Sequence, residues 1–199
     1  MKVFAKLLLA ILVSSLTPAA LIAMTAMTAI AADVDEADDL CASTDDPCIV
    51  NDSHTVLDGS TLDFGSRTLR ISGSGQLDIG EGMVSILCGG LTIDTASGIA
   101  IKANGDDFSG GDLTVTARRT CDDDSTQTCL EHGECSGSCS GGDGTISLGS
   151  KIVGSNEMPA TVTLYAAGDI TINKNITLAG TTSDSDGGEL DVQSYLGSV

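Results

Sequence analysis

The 199-residue sequence is strongly acidic: 28 Asp and Glu stand against 9 Lys and Arg, and the formal net charge is −19. A surface of this charge repels nucleic acid and anionic lipid, so both are excluded as partners. The 24 glycines, the absence of tryptophan and an aromatic content of 3% favour many short strands joined by tight turns over a helical core.

The N-terminus has the layout of a secretory signal peptide. Lys2 and Lys6 precede a long uncharged apolar run that ends in small residues, Ala29-Ile30-Ala31-Ala32. The alternative is an uncleaved membrane anchor, which Pro18 and the scattered Ser and Thr disfavour. Residues 1–32 are therefore predicted to be a signal peptide that engages the membrane only during export. We expect the mature chain to be secreted or to lie at the cell surface, in the outer membrane or the extracellular space.

Residues 33–57 are predicted to precede the main fold. The acidic stretch from Asp33 to Asp39 predicts a disordered tail. Residues 41–57 predict a cap, since a stack of strands exposes unpaired edges at its end and needs a cover there. In an exported chain, the nearby Cys41 and Cys48 are expected to form a disulfide.

From residue 58 to residue 199 an internal repeat dominates. Short apolar-x-apolar strands recur about every 7 or 8 residues, so that three strands make one turn of roughly 22 residues. Alternation points two side chains of each strand inward, and stacked turns bury these in one column. The predicted strands are Leu62–Phe64, Leu69–Ile71, Leu77–Ile79, Val84–Ile86, Leu91–Ile93, Ile99–Ile101, Leu113–Val115, Ile146–Leu148, Val162–Leu164, Ile170–Ile172, Ile176–Leu178 and Leu190–Val192.

This repeat predicts an all-β fold, a right-handed parallel β-helix with three strands per turn. The alternative is an antiparallel sandwich or jelly roll, which would have longer strands and no fixed period. The period also predicts which side chains stack. Leu69, Leu91 and Leu113 should lie one above another, as should Ile71, Ile93 and Val115, and outside them Arg70, Thr92 and Thr114; Asp63 should lie above Ser85, and Asp78 above Ala100.

The Gly-Gly-x-apolar-x-apolar units resemble the β-helical shafts of filamentous-haemagglutinin-like and polymorphic outer-membrane-type exoproteins, which have a pectate-lyase-like superfold. Gly110–Ala117 and Ala166–Ile172 carry the resemblance best, and it extends over roughly residues 56–199. The resemblance implies a cell-surface, adhesive or structural role. The same shaft also carries polysaccharide lyases and hydrolases.

Residues 118–143 interrupt the repeat and are predicted to form a Cys-rich loop extruded from one corner. Its cysteines, Cys121, Cys129, Cys135 and Cys139, are expected to form two disulfides, in any of three pairings. The alternative is a zinc site that uses Cys129, His132, Cys135 and Cys139. Export and the lack of paired C-x-x-C spacing favour the disulfides.

The other candidate chemistry is sparse. Asp184, Asp186 and Glu189 alternate beside a Gly-Gly bend, a weak calcium candidate that ordinary turn chemistry explains equally well. No other cofactor is expected. Cys88 is the odd cysteine and is predicted to be a buried, unreactive free thiol. No catalytic residue is predicted, because the histidines, His54 among them, lack a nucleophile partner.

Together these features predict an exported, non-enzymatic structural or adhesive β-helix protein. The alternative is a polysaccharide-binding or polysaccharide-degrading β-helix domain whose active site lies outside this segment. The expected partner is a polysaccharide or a cell-surface component. Because no cap follows the strand Leu190–Val192, we also expect the chain to be the N-terminal part of a longer protein.

Overall fold

The computed structural model describes residues 33–96, 98–104, 110–154, 160–180 and 187–199. The predicted signal peptide lies outside these ranges, and within them no helix is long and apolar enough to span a bilayer. The helical residues described are two 3-10 turns, Ala37–Asp39 and His132–Glu134. The strands are β1 (Asp33–Val34), β2 (Cys48–Val50), β3 (Ser53–Val56), β4 (Thr61–Asp63), β5 (Thr68–Gly73), β6 (Gln76–Asp78), β7 (Met83–Cys88), β8 (Gly90–Thr95), β9 (Ile99–Lys102), β10 (Asp112–Ala117), β11 (Arg119–Cys121), β12 (Thr128–Cys129), β13 (Cys139–Gly141), β14 (Ile146–Leu148), β15 (Lys151–Val153), β16 (Thr161–Ala166), β17 (Ile170–Ile172), β18 (Ile176–Thr177) and β19 (Glu189–Ser194).

The protein is all-β, and its three large sheets are parallel. Sheet A has the order β1-β3-β6-β9-β15-β18, sheet B the order β2-β5-β8-β14-β17, and sheet C the order β4-β7-β10-β16-β19. Consecutive strands join sheets B, A and C in that order, and we call each such set of three strands a circuit. The circuits are β2-β3-β4, β5-β6-β7, β8-β9-β10, β14-β15-β16 and β17-β18-β19. A small antiparallel sheet, β12-β11-β13, lies in the sequence between the third and fourth circuits.

The alternation of apolar and polar residues explains why these segments form strands with one buried face. In β7, Val84, Ile86 and Cys88 are buried, whereas the residues between them are more exposed. Because side chains of a strand point alternately to opposite faces, each strand contributes two or three apolar groups to the interior. These groups form one continuous hydrophobic core that all three large sheets share.

Glycine is required where the chain turns between sheets. Gly65 and Gly80, at two corners, have φ angles of +61° and +55°, a region that side-chain-bearing residues rarely adopt. Gly89, between β7 and β8, is required for space, because a Cβ there would overlap the backbone carbonyl of Ser66. This last glycine lets two successive strands lie one residue apart in sequence although they belong to different sheets.

The stacking predicted for sheet B is confirmed in its first part and wrong in its last. Leu69 lies opposite Leu91 and Ile71 opposite Ile93, as expected. Leu113 and Val115 were expected to continue these two columns, but both lie in β10 of sheet C. The position opposite Leu91 is taken by Ile146.

The reason is a longer connection. The segment between β9 and β10 is longer than the corresponding segment between β6 and β7. A fixed period of roughly 22 residues therefore assigns β10 to sheet B, although the chain has only reached sheet C at that point. For the same reason Thr114 does not continue the outer row of Arg70 and Thr92. That row continues with Ser147.

Two further registers are displaced by two residues. Asp63 lies opposite Leu87 rather than Ser85, and Asp78 lies opposite Lys102 rather than Ala100. The extra residues lie chiefly at the corner between sheets B and A, which lengthens over the first three circuits. Because a displacement of two residues keeps every side chain on the same face of the strand, Asp63 and Asp78 still point outward as predicted. Ala100 was assigned to the outer face as well, but it is buried in the core, where the register of β9 with β15 is irregular.

The N-terminal segment is ordered, contrary to the expectation of a disordered tail. Strand β1 pairs with β3, and Val34 and Ala37 are buried against the core. The carboxylate of Asp39 accepts the backbone N–H groups of Asp35 and Glu36, which lowers its pKa. The sheets also extend upstream of residue 58, since β2 and β3 pair with β5 and β6.

Arg67 holds this segment against the first circuit. Its guanidinium lies 5.5 Å from the ring centroid of Phe64 and donates to the carbonyl oxygen of Ala42 at 2.9 Å and to Asp38 at 3.2 Å. The acidic charge of residues 33–39 is thus tied to a cation of the main body. Residues 33–48 therefore cover the outer edge of the first circuit.

Candidate functional site

Two parts of the molecule are candidate functional surfaces: the Cys-rich loop of residues 118–143 and the outer face of sheet C. In the loop, disulfides join Cys121 to Cys135 and Cys129 to Cys139. A third disulfide joins Cys41 to Cys48 in the N-terminal segment. Of the three loop pairings left open by the sequence, the structure has the one in which the two disulfides overlap along the chain.

The loop is a compact module that returns to its point of departure. At its start, the N–H of Arg118 donates to the carbonyl oxygen of Cys88 at 2.7 Å, and at its end the N–H of Gly144 donates to that of Gly89 at 2.8 Å. Cys121, Cys129 and Cys139 are buried and form a small core of their own, against which Leu196 packs. The loop is therefore an insertion at one corner that leaves the sheets on either side in contact.

The polar groups of the loop are engaged in its own turns. The Asp122 carboxylate accepts the N–H of Ser138 at 2.6 Å. The Asp124 carboxylate accepts the hydroxyl and N–H of Thr126, which lowers the pKa of Asp124. These contacts stabilise turns in a segment that has little apolar material.

The zinc alternative does not fit this loop. Cys129, Cys135 and Cys139 are bonded in disulfides and so offer no thiolate, the form in which cysteine binds zinc. The Sγ atoms of Cys121, Cys129 and Cys135 lie within 4.8 Å of one another because the two disulfides are adjacent. The fourth proposed ligand, His132, accepts the N–H of Cys139 through Nδ1 at 3.0 Å.

The remaining residues singled out in the sequence do not converge on one site. Cys88 is a free, fully buried thiol whose pKa is raised to about 12, chiefly by desolvation. Of the calcium candidates, Asp184 and Asp186 lie outside the described residues, and Glu189 is an exposed residue at the start of β19. His54 lies in β3 opposite Leu77, and its Nδ1 is buried without a hydrogen-bond partner.

A groove of about 530 Å³ follows the corner between sheets A and C. Among its charged residues, Lys102 pairs with Asp78 at 2.8 Å, and Asp58 accepts the N–H of Met83 at 2.9 Å. These contacts link successive circuits across the corner. The Lys102–Asp78 ion pair and the Asp58 hydrogen bond therefore stabilise the packing of neighbouring circuits at this corner.

The outer face of sheet C has a different character. Its registers align a central column of polar side chains: Thr61, Ser85, Thr114, Thr163 and Asp191. Asp63, Leu87, Thr116, Tyr165 and Gln193 form the column on one side, and Met83, Asp112, Thr161 and Glu189 that on the other. A shallow groove of about 450 Å³ runs over the four hydroxyl-bearing residues of the central column.

The two tyrosines of the chain meet at one end of this face. The ring centroids of Tyr165 and Tyr195 are 6.4 Å apart, and the rings pack edge to face. The hydroxyl of Tyr165 donates to the Asp191 carboxylate at 3.2 Å, and the charge of that carboxylate is the main cause of a raised Tyr165 pKa. Sequence reasoning missed this group, because Tyr165 and Asp191 become neighbours only through the register of β16 with β19.

Comparisons with known proteins found no matching family model, no matching curated protein and no matching solved structure.

Proposed function

We propose that the chain is an exported, non-enzymatic structural or adhesive protein of the cell surface or extracellular space, whose body is a right-handed parallel β-helix. The observation that carries the proposal is the repeated order in which strands join sheets B, A and C. A chain that returns to the same three sheets in the same order builds a long body with broad outer faces. Such a body acts as a spacer and presents surfaces and loops.

Export is supported by the cysteines. Six of the seven form three disulfides, and disulfides persist chiefly in oxidising compartments. The signal-peptide pattern of residues 1–32 points the same way. The filamentous-haemagglutinin-like resemblance of the repeats belongs with this proposal, since shafts of that kind serve at cell surfaces.

A structural role is supported by how the charged groups are used. Asp122 and Asp124 of the loop accept hydrogen bonds that stabilise turns, and Asp58 and Asp78 of the corner groove accept hydrogen bonds that link circuits. A catalytic carboxylate would instead point into a cleft, beside a group of matched pKa. The second candidate function, polysaccharide binding, is favoured by the outer face of sheet C with its two tyrosines.

Fractionation of cells that express the full chain tests the proposal. We expect the protein in the medium or on the cell surface, with its N-terminus near Asp33 by mass spectrometry. Alkylation should label one cysteine, Cys88, and only after denaturation. Cells that display the chain should adhere to a substratum more than cells whose chain lacks residues 1–32. A full-length intracellular chain with reduced cysteines would contradict the proposal.

A further inference from the structure

We propose that the outer face of sheet C binds a neutral, linear polysaccharide, which lies along the central column and crosses the strands. This inference rests on the proposed adhesive function and names its partner. The central column comprises Thr61, Ser85, Thr114, Thr163 and Asp191. Three properties of this face identify the partner: its unused hydroxyls, its charge and its exposed apolar groups.

The hydroxyls are available to a ligand. Among the described residues, no hydrogen bond joins the hydroxyl of Thr61, Ser85, Thr114 or Thr163 to another protein group. Other hydroxyls are used internally: Ser74 and Ser150, for example, donate to backbone carbonyls of the preceding circuit. Successive strands of a sheet are about 4.8 Å apart, so the column repeats at a spacing comparable with one sugar unit of an extended chain.

The charge of the face excludes anionic polymers. None of the strands β4, β7, β10, β16 and β19 contains Lys or Arg. Asp112, Glu189 and Asp191 are exposed on the same face. Carboxylates repel a polyuronate, whereas they accept hydrogen bonds from the hydroxyls of a neutral sugar.

The apolar groups match the other surface of a sugar ring, which presents C–H bonds. Met83 is 65% exposed at one side of the groove, and the half-buried rings of Tyr165 and Tyr195 lie at one end of the sheet. Tyr165 is held in place by Asp191, so its ring is oriented before a ligand arrives. A rigid aromatic group that also carries a polar end is a typical anchor of a binding surface.

Affinity electrophoresis of the full chain tests the inference, with gels that contain β-1,4-glucan, xylan or mannan as neutral polymers, polygalacturonate as the anionic polymer and chitosan as the cationic one. We expect at least one neutral polymer to retard the protein and polygalacturonate to have no effect. The double variant Thr114→Val and Thr163→Val, which keeps side-chain volume, should bind that polymer about tenfold more weakly. Tyr165→Ala should weaken binding as well.

The matched control is the double variant Thr92→Val and Thr171→Val, which makes the same change on the outer face of sheet B and should bind normally. Thermal unfolding followed by circular dichroism checks that every variant is folded. The inference is overturned if no neutral polymer binds, if only chitosan binds, or if both double variants behave alike. Surface location and cell adhesion without polymer binding would overturn this inference and leave the proposed function standing.

Discussion

Leu91 and Ile146 lie opposite each other in adjacent parallel strands, although the whole of β10 and the Cys-rich loop lie between them in sequence. Both side chains are buried in the common core. Strands β8 and β14 thus pair directly although the loop is inserted between them, and the ends of the loop are held by hydrogen bonds to the carbonyls of Cys88 and Gly89. The loop contributes little to the packing of the circuits on either side.

Replacement of residues 119–143 by Gly-Ser-Gly is therefore expected to preserve the fold. In the preceding circuit the same corner is made by Gly89 alone, so a short linker suffices. The circular dichroism spectrum should keep its β character, and the melting temperature should fall by less than about 5 °C. Leu91→Ala is the contrasting variant, since loss of a buried leucine costs about 2–5 kcal/mol. Loss of cooperative unfolding in the replacement variant would show that the loop is needed for the core.

Arg67→Ala should loosen the N-terminal segment. The variant loses the contact with Phe64 and the hydrogen bonds to Ala42 and Asp38, and we expect a loss of about 1–3 kcal/mol in urea denaturation. Arg67 is only 14% exposed, whereas Arg70, which pairs with Asp94, is 45% exposed. Arg70→Ala is therefore the control and should change stability little, because exposed ion pairs contribute little. Equal losses in the two variants would contradict this account.

Cys88 should make the protein sensitive to alkali. Its pKa is about 12 in the folded state, against an ordinary value of 9.0, because burial opposes the thiolate. The folded state thus favours the neutral thiol. This contribution is fully present below pH 9 and is lost as the pH rises towards 12. The melting temperature of the wild-type protein should fall more steeply than that of Cys88→Ala over this interval, and parallel curves would contradict the prediction.

The interaction of Tyr165 with Asp191 can be measured directly. The negative charge of Asp191 raises the pKa of Tyr165 above its ordinary value of 10.0. In a Tyr195→Phe background, Tyr165 is the only tyrosine, so an ultraviolet absorbance titration reports on it alone. Asp191→Asn should lower the observed pKa, since the charge that opposes the phenolate is removed. An unchanged titration would show that the two side chains are apart in solution.

Much of the fold follows from the sequence because strand alternation tolerates errors of register. The predicted partner of Asp63 was displaced by two residues, yet its side chain was correctly placed on the outer face. Parity survives such a displacement, so most residues predicted to point inward are buried. Ile172 and Leu190 are exceptions, since both are exposed, and the buried Ile152 of β15 lies in none of the predicted strands. Leu113 shows the limit: it was correctly predicted to point inward, but it was assigned to the wrong sheet because corners differ in length.

The candidate surfaces were less predictable. The cysteines of residues 118–143 predicted an inserted loop with two disulfides. They did not predict which cysteines pair, because the pairing depends on the position of β11 between β12 and β13. The group of Tyr165, Asp191 and Tyr195 required the register of the last two circuits. Residues 33–39 were predicted to be disordered because of their acidic charge. Their ordered structure could not be foreseen, because Val34 and Ala37 become buried only when β1 pairs with β3.

The basic residues are distributed unevenly over the three large sheets. Every lysine and arginine of residues 33–199 lies on sheets A and B, at the corners or in the loop, and none lies on a strand of sheet C. On sheets A and B such residues pair with carboxylates of neighbouring strands, Arg70 with Asp94 and Lys102 with Asp78. Between the described strands of sheet C there is no such ion pair, so added salt weakens no cross-strand contact on that side.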